Sequence, residues 1–298
     1  MENYPKKLKK NIILFSNDPG GAQVLSSYFY YQYNKNIYLC SSKSAEKFFK
    51  EKKIKFKKIS FNKALNIGSK FYTSTSWKSN IEVKAIKELI YRKKKVITFL
   101  DGWDNYKARF KYNGKYYFPS EIWNFDYLAS KYCKKIFPQK IKLRNKKNFF
   151  IKYALKQISR VKKSKNYKKN CLFLTEPLTE TYKKMYKKLP PYSELKAFSL
   201  FLAKIGTVEQ IENINIKIHP NDKIKKYKKI AKKFSNLKIK FTNKNIFTLL
   251  KENYYVASCA SSLMYLAEKN HNRVICCIPK KNIKPKLPIK KFYYLHNL

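Results

Sequence analysis

Four short stretches of this sequence hold side chains whose types and spacing could do chemistry. In NIKIHPND (215–222), His219 ends an alternating apolar run and is followed by Pro220, which cannot donate to a strand ladder and suits the first position of a helix. An imidazole at a strand tip beside a helix start can donate to a phosphate oxygen or protonate a leaving group; the alternative is a purely structural histidine. His271 and His296 read as peripheral. In FLDGWDNYKARF (99–110), Asp101 closes a run that begins at Val96, and Gly102 lets a substrate come near. A carboxylate there can take a proton from a hydroxyl. The competing readings are a cap on a helix starting near Trp103, or Asp104 in the same role. Trp103, Asn105, Tyr106 and Arg109 in that loop offer stacking and polar contacts of the kind a sugar or nucleotide needs.

The other two stretches concern backbone as much as side chains. SNDPGGA (16–22) carries Asp18, Gly20 and Gly21 between an apolar run and a helical pattern, in a chain with six glycines in all. Bare N–H groups there can approach an anion or a sugar hydroxyl, although Pro19 and the glycines also suffice for a tight turn, and the G-x-G-x-x-G spacing is absent. ASCASSLMYLAEK (257–269) passes from a strand pattern to a helix through small hydroxyl residues. Ser261 and Ser262 at that helix start, with Ser258 near, could offer hydroxyls and N–H groups to a phosphate; serine is equally a good structural cap.

These residues need a scaffold that brings strand ends to one edge. Short apolar runs at 11–16, 37–40, 70–74, 96–100, 121–125 and near 139–143 alternate with amphipathic stretches at 21–33, 43–53, 80–93 and 126–135. From 144 to 169 the pattern dissolves into lysine-rich polar sequence, and a second series follows: strands at 171–176, 214–220, 238–241, 254–259 and 274–279, with helices near 192–205, 222–234, 245–251 and from 261. Such alternation predicts parallel sheets with crossover helices. With 298 residues exceeding one usual core, the expected fold class is α/β: two Rossmann-like domains facing across a cleft, an acceptor-side domain over 1–160 and a nucleotide-binding domain over 161–298. No 20- to 50-residue repeat is visible.

The charge is +50, from 68 basic and 18 acidic side chains. Only five of the basic residues are arginines, the side chain suited to bidentate phosphate and base-edge contact, and the lysines spread over nearly every predicted helix. This argues against specific nucleic-acid recognition, although a nucleic-acid-binding protein stays as an alternative from another class. The abundance of Lys, Ile, Asn, Tyr and Phe with little Gly, Ala or Arg is what an AT-rich coding sequence produces by drift, and the alternative is a role for the charge in peripheral contact with an anionic membrane face or an acidic polymer. Six cysteines without a C-x-x-C pair fit reduced, buried thiols in the cytoplasm. No apolar run approaches the length of about 20 residues that a span needs, and the N-terminal apolar run is too short for a signal peptide. No D-x-D triplet is present, so no metal is expected; nor is any cofactor beyond a nucleotide-sugar substrate.

At Leu100-Asp101-Gly102, His219-Pro220 and Ser261-Ser262 the sequence resembles GT-B glycosyltransferases, in particular bacterial sialyltransferases and polysialyltransferases, whose short motifs are an acidic pair before Gly, a His-Pro and a Ser-Ser. Leu100 stands where that family has its first acidic residue. DGWDNYKARF, FPSEIWNFDYLA (118–129) and LTEPLTE (174–180) are similar to proteins found beside bacterial surface-polysaccharide enzymes. The resemblance implies inverting transfer from a nucleotide sugar such as CMP-sialic acid to a glycan or lipid-linked acceptor. Asp101 would deprotonate the acceptor, His219 would bind or protonate the departing phosphate, and the serines would hold it. A nucleotide-sugar 2-epimerase or a polyol-phosphate transferase of the same fold is the alternative.

Overall fold

A computed structural model describes residues 11–32, 36–76, 79–206 and 210–297. The chain divides into two compact units, Met1–Phe150 and Ile151–Leu298.

In the first unit β1 (Ile12–Ser16) leads to α1 (Pro19–Tyr30), β2 (Ile37–Ser41) to α2 (Lys43–Glu51), and β3 (Lys57–Lys58) to α3 (Phe61–Ile67). Next come β4 (Lys70–Thr73), α4 (Ile81–Tyr91) and β5 (Val96–Phe99), then a small hairpin of β6 (Lys111–Tyr112) and β7 (Lys115–Tyr116). The series closes with β8 (Glu121–Asn124), α5 (Tyr127–Ile136) and β9 (Lys142–Asn145). The main sheet has the order β3-β2-β1-β4-β5-β8-β9 with every pair parallel. β1 is buried along its whole length, as a central parallel strand covered on both faces must be. Ile12 and Leu14 pack with Ala22, Leu25 and Phe29 of α1 and Ala45 and Phe49 of α2. Phe15, on the alternate face, meets the ring of Phe61 in α3 at 5.7 Å. Ser42 and Asp126 cap α2 and α5 by accepting the Ala45 and Ala129 N–H groups.

α6 (Phe149–Ser159) spans the division between the units. Dissolving sequence was expected over 144–169. Instead Phe149, Phe150, Tyr153, Ala154 and Ile158 recur at helical spacing and form this helix, their periodicity hidden among the flanking lysines and asparagines. The division at 150/151 lies ten residues before the one expected at 160/161.

The second unit repeats the plan. β10 (Asn170–Leu174) is followed by α7 (Leu178–Tyr186), α8 (Glu194–Ile205), β11 (Asn213–Lys217), α9 (Ile224–Ala231) and β12 (Lys238–Phe241). After these come α10 (Ile246–Glu252), β13 (Tyr255–Ser258), α11 (Leu263–Lys269), β14 (Arg273–Cys276) and β15 (Tyr293–Tyr294). The order β12-β11-β10-β13-β14-β15 is again parallel throughout. Its core joins Cys171 and Phe173 of β10, Ile214 and Ile216 of β11, and Phe198, Phe201 and Leu202 of α8. All six cysteines are free and buried, as expected of reduced thiols.

In both sheets the first strand has its sequence successor on one side and a later strand on the other. The chain reverses direction of travel there, and in open parallel sheets ligands bind outside the carboxyl ends of the strands at such a point. In the first unit those ends are Ser16–Asp18 and Ser74–Thr75; in the second they are Thr175–Glu176 and Ser258–Cys259. Among the described residues no helix is long and apolar enough to cross a membrane.

Candidate functional site

In the first unit, Asp101 lies two residues beyond β5 and does not cap a helix; the segment from Lys107 to Phe110 is a single 3-10 turn. Its Oδ1 accepts from Thr75 Oγ1 at 2.8 Å and from the Arg109 guanidinium. Arg109 Nη1 also donates to Thr75 Oγ1 at 2.8 Å, so cation, hydroxyl and carboxylate close a triangle over the β4 and β5 ends. Oδ2 accepts no hydrogen bond among the described residues. It faces the first turn of α1, where a Cβ added to Gly20 would sit 2.8 Å from it. A Cβ on Gly21 would come within 2.6 Å of Ser74 and of the Thr75 carbonyl oxygen. Gly21 is therefore required by the close approach of α1 to the β4 end, whereas the space above Gly20 is occupied by the Asp101 carboxylate. Asp18 precedes Pro19 as the N-cap residue and makes no side-chain cap bond.

The remaining loop residues divide. Trp103 was expected to offer a stacking face, but it is buried, donates from Nε1 to Asp126 Oδ2 at 2.7 Å and meets Phe125 edge-on. Tyr106 is buried too; its hydroxyl donates to the Gly102 carbonyl at 2.7 Å, its ring stacks on Phe137, and burial pushes its phenol up. Both sit in apolar surroundings that satisfy their polar tips, so they hold the loop in shape. Asn105 is exposed, takes a φ of 56° and donates to Asp104. Asp104, the competitor of Asp101, is 55 % exposed and lies 3.7 Å from Arg109.

A carboxylate missed by sequence reading supports this edge. Glu82, buried in the first turn of α4, accepts the Asn17 N–H at 2.7 Å and the Ser79 hydroxyl at 3.2 Å. Desolvation raises its pKa from 4.5 to about 7, against the opposing pull of those bonds.

In the second unit, His219 stands two residues beyond β11, anchored by its backbone N–H to the Thr175 hydroxyl at 2.8 Å. Nδ1 accepts the Asn221 backbone N–H at 3.1 Å. A backbone N–H can only donate, so the neutral ring carries its proton on Nε2. The turn is closed by Asp222, whose N–H donates to the His219 carbonyl at 2.8 Å. The fully buried Asp222 carboxylate takes Tyr227 Oη and Lys226 Nζ, each at 2.7 Å. Lys226 continues to Glu194 at 2.8 Å. Burial would lower the Lys226 pKa, but bonds to Asp222 and Glu194 outweigh it and hold the ammonium above its ordinary value. Lys217 reaches the Lys244 carbonyl.

The serine loop differs from its expectation. Ser258 is wholly buried; its Oγ is 2.8 Å from the Leu174 carbonyl and 2.5 Å from Glu176 Oε1. That same oxygen accepts the N–H groups of Cys259 at 3.1 Å and Ala260 at 2.7 Å, and Ser261 adds a further backbone bond to the carboxylate. Of the two serines expected to offer N–H groups to a phosphate, Ser261 thus gives its own to a carboxylate of the chain itself. Burial pushes Glu176 up, while those bonds pull it back without cancelling the rise. Ser262 is exposed, and Ser261 Oγ accepts the Leu263 N–H at 3.4 Å. A groove of about 460 Å³ along β11 and β12, lined by Asn213, Asn215, Lys238, Lys240 and Lys244 among others, includes none of His219, Ser258, Ser261 and Ser262. Among the described residues no group of three or more His, Cys, Asp or Glu could hold a metal ion.

No family model matches the chain. No curated protein sequence matches it either. Solved structures do. Staphylococcus aureus MnaA in its UDP co-structure superposes with a TM-score of 0.61 at 10 % identity, over 90 % of this chain and 78 % of that one. The fold is the GT-B type. A Listeria monocytogenes protein assigned to the UDP-N-acetylglucosamine 2-epimerases gives 0.62 at 9 % identity, over 91 % and 80 % of the two chains. The UDP-GlcNAc 2-epimerase of Methanocaldococcus jannaschii gives 0.56 at 13 % identity, over 90 % and 83 %. At such identities the likeness shows the fold alone, two Rossmann-like domains, in agreement with the two sheet orders.

Proposed function

We propose that this protein is a nucleotide-sugar-dependent glycosyltransferase acting on a surface-glycan or lipid-linked acceptor at the cytoplasmic side of the membrane. The observation that carries the reading is the His219 imidazole, fixed with its proton on Nε2 at the carboxyl edge of β11. The S. aureus neighbour with UDP supports a nucleotide as its ligand class.

In this reading Nε2–H donates to a phosphate oxygen of the departing nucleotide, where negative charge grows as the bond from the anomeric carbon to the phosphate oxygen breaks. Asp101 Oδ2 accepts the proton of the acceptor hydroxyl, whose oxygen forms the new glycosidic bond with inversion. Arg109 and Thr75 hold Oδ1 and so aim the carboxylate. The Ser261 and Ser262 hydroxyls contribute to the nucleotide side, and Glu176 shapes the loop that presents them. CMP-sialic acid, the donor implied by the motif resemblance, belongs to the same proposal, as does reaction without a metal.

A second reading is favoured by the two epimerase folds: 2-epimerisation of a nucleotide sugar. Incubation with labelled CMP-sialic acid and UDP-N-acetylglucosamine in the presence of a surface-glycan acceptor, followed by product analysis, separates the two. A new glycosidic bond supports transfer, an isomerised nucleotide sugar supports epimerisation, and no consumption of either donor contradicts both.

A further inference from the structure

His219 is held at both of its backbone polar groups. Its N–H donates to Thr175 Oγ1 at 2.8 Å, and its carbonyl accepts the Asp222 N–H at 2.8 Å, the bond that closes a tight turn. Thr175 lies just past β10 and is buried, so its hydroxyl is committed to protein partners. The Asp222 carboxylate is fixed in its turn. Oδ1 accepts the Lys223 N–H at 2.8 Å and Lys226 Nζ at 2.7 Å, while Oδ2 accepts the Tyr227 hydroxyl at 2.7 Å. That hydroxyl also lies 3.5 Å from the Glu176 carbonyl oxygen, beside Thr175. The contacts run in a circuit: from the end of β10 to His219, through the turn to Asp222, across Tyr227, and back to the end of β10.

Helix stability accounts for only part of this. Asp222 precedes α9 and satisfies an N–H at its start, and Lys226 ties it to Glu194 at the start of α8. The Tyr227 hydroxyl serves neither purpose. Its ring is wholly buried and lies 5.2 Å from that of Phe198, a contact that phenylalanine would make equally well. What the hydroxyl adds is a short bond to the residue that closes the His219 turn. The Asn221 N–H meets Nδ1 only while that turn keeps its shape.

We infer that Thr175, Asp222 and Tyr227 are positioning residues for His219: by fixing its backbone on both sides they keep Nδ1 on the Asn221 N–H and so set the tautomer and the direction of Nε2. The inference rests on the role proposed for His219 above. Burying a carboxylate with an ammonium costs free energy that packed apolar groups would not, and what the pair supplies here is one defined geometry.

The test is nitrogen-15 spectroscopy of the full chain at about pH 8, above the usual histidine range. Four variants are compared with the parent. Tyr227→Phe and Thr175→Val each delete a hydroxyl and keep the side chain's shape, whereas Thr175→Ser keeps Oγ and loses a methyl group. Ile205→Val, at the other end of α8 from Glu194, controls for lost packing alone. The ratio of Nε2–H to Nδ1–H tautomer at His219 should fall at least about threefold in both hydroxyl deletions, and should stay within about 1.5-fold of the parent in Thr175→Ser and Ile205→Val. With the nucleotide sugar, Tyr227→Phe should lower kcat at least about tenfold and change KM less than about threefold, as a misaimed donor would. The spectra read the ring and not the reaction. A fallen ratio with unchanged kcat would therefore support the positioning and contradict the reaction assigned to His219. An unchanged ratio in either hydroxyl deletion, or an equal fall in Ile205→Val, would overturn the inference.

Discussion

The Asn221 backbone N–H donates to Nδ1 of His219 at 3.1 Å, and this one bond decides what the imidazole can offer a ligand. Nδ1 is an acceptor, so the ring presents a donor at Nε2. Nitrogen-15 spectra of the histidines should show His219 as the Nε2–H tautomer at neutral pH. His219→Ala should lower turnover of the nucleotide sugar by about 10²- to 10³-fold while the melting temperature stays within a few degrees, because one donor to a developing charge is lost. An Nδ1–H tautomer, or near-normal turnover by the alanine variant, would remove His219 from its assigned role.

The first turn of α1 is packed against the Asp101 edge so closely that its glycines separate fold from function. Gly21→Ala must displace backbone, since its Cβ would come within 2.6 Å of the Thr75 carbonyl oxygen, and should cost about 1–3 kcal/mol in urea unfolding. Gly20→Ala meets only the Asp101 carboxylate, a side chain that can turn aside. It should cost less stability than Gly21→Ala and proportionally more transferase activity, by moving Oδ2. Equal activity in the Gly20 variant and the parent would show that the placement of Oδ2 is immaterial.

Glu176 gathers the buried Ser258 hydroxyl and the Cys259 and Ala260 N–H groups onto one oxygen. Glu176→Ala leaves the Cys259 and Ala260 N–H groups without this acceptor, while Ser258 keeps the Leu174 carbonyl, and should cost at least about 2 kcal/mol in chemical denaturation. Glu176→Gln keeps an accepting oxygen, and burial already raises the carboxyl toward its neutral form, so its cost should stay below about 1 kcal/mol. Equal costs for the two variants would show that the bonds to the loop contribute nothing.

Much of the scaffold was legible before the structure, and the reason is physical. Buried parallel strands leave short apolar runs, so Ile12–Ser16, Val96–Phe99 and Tyr255–Ser258 fall where the sequence pattern placed them. β3, β15, α7 and the β6–β7 hairpin were missed, being short or largely exposed and leaving little apolar periodicity. At the candidate site, position along a strand identified Asp101 and His219, since strand ends follow from strand assignments. Their partners come from far away in sequence: Thr75 for Asp101, Thr175 for His219, Glu176 for the serine loop. Trp103 and Tyr106 have the chemistry of sugar contacts and yet lie inside, because burial of an aromatic is set by packing that one sequence does not display.

Glu82 gives the stability a pH dependence of known sign. Its folded pKa, about 7, lies above the ordinary 4.5, so the folded state holds the proton more tightly. The stability it contributes is complete below pH 4.5 and is lost as pH rises through 7. Glu82→Gln should flatten that part of the profile, so the difference in unfolding free energy between parent and variant should change by roughly 3 kcal/mol from pH 4.5 to pH 8. A difference constant across that range would mean that Glu82 has the same pKa in the folded and the unfolded chain.

Nucleotide binding through His219 tests the central claim most directly, by melting the parent and His219→Ala with CMP, CDP, UDP and GDP each in turn. A ligand bound only by the folded chain adds about 2.7 kcal/mol at a hundred times its dissociation constant, enough to raise the melting temperature by several degrees. The account predicts that at least one nucleotide raises the parent's melting temperature and that the alanine variant loses most of that rise. An unchanged rise in the variant, or none with any of the four in the parent, would contradict it.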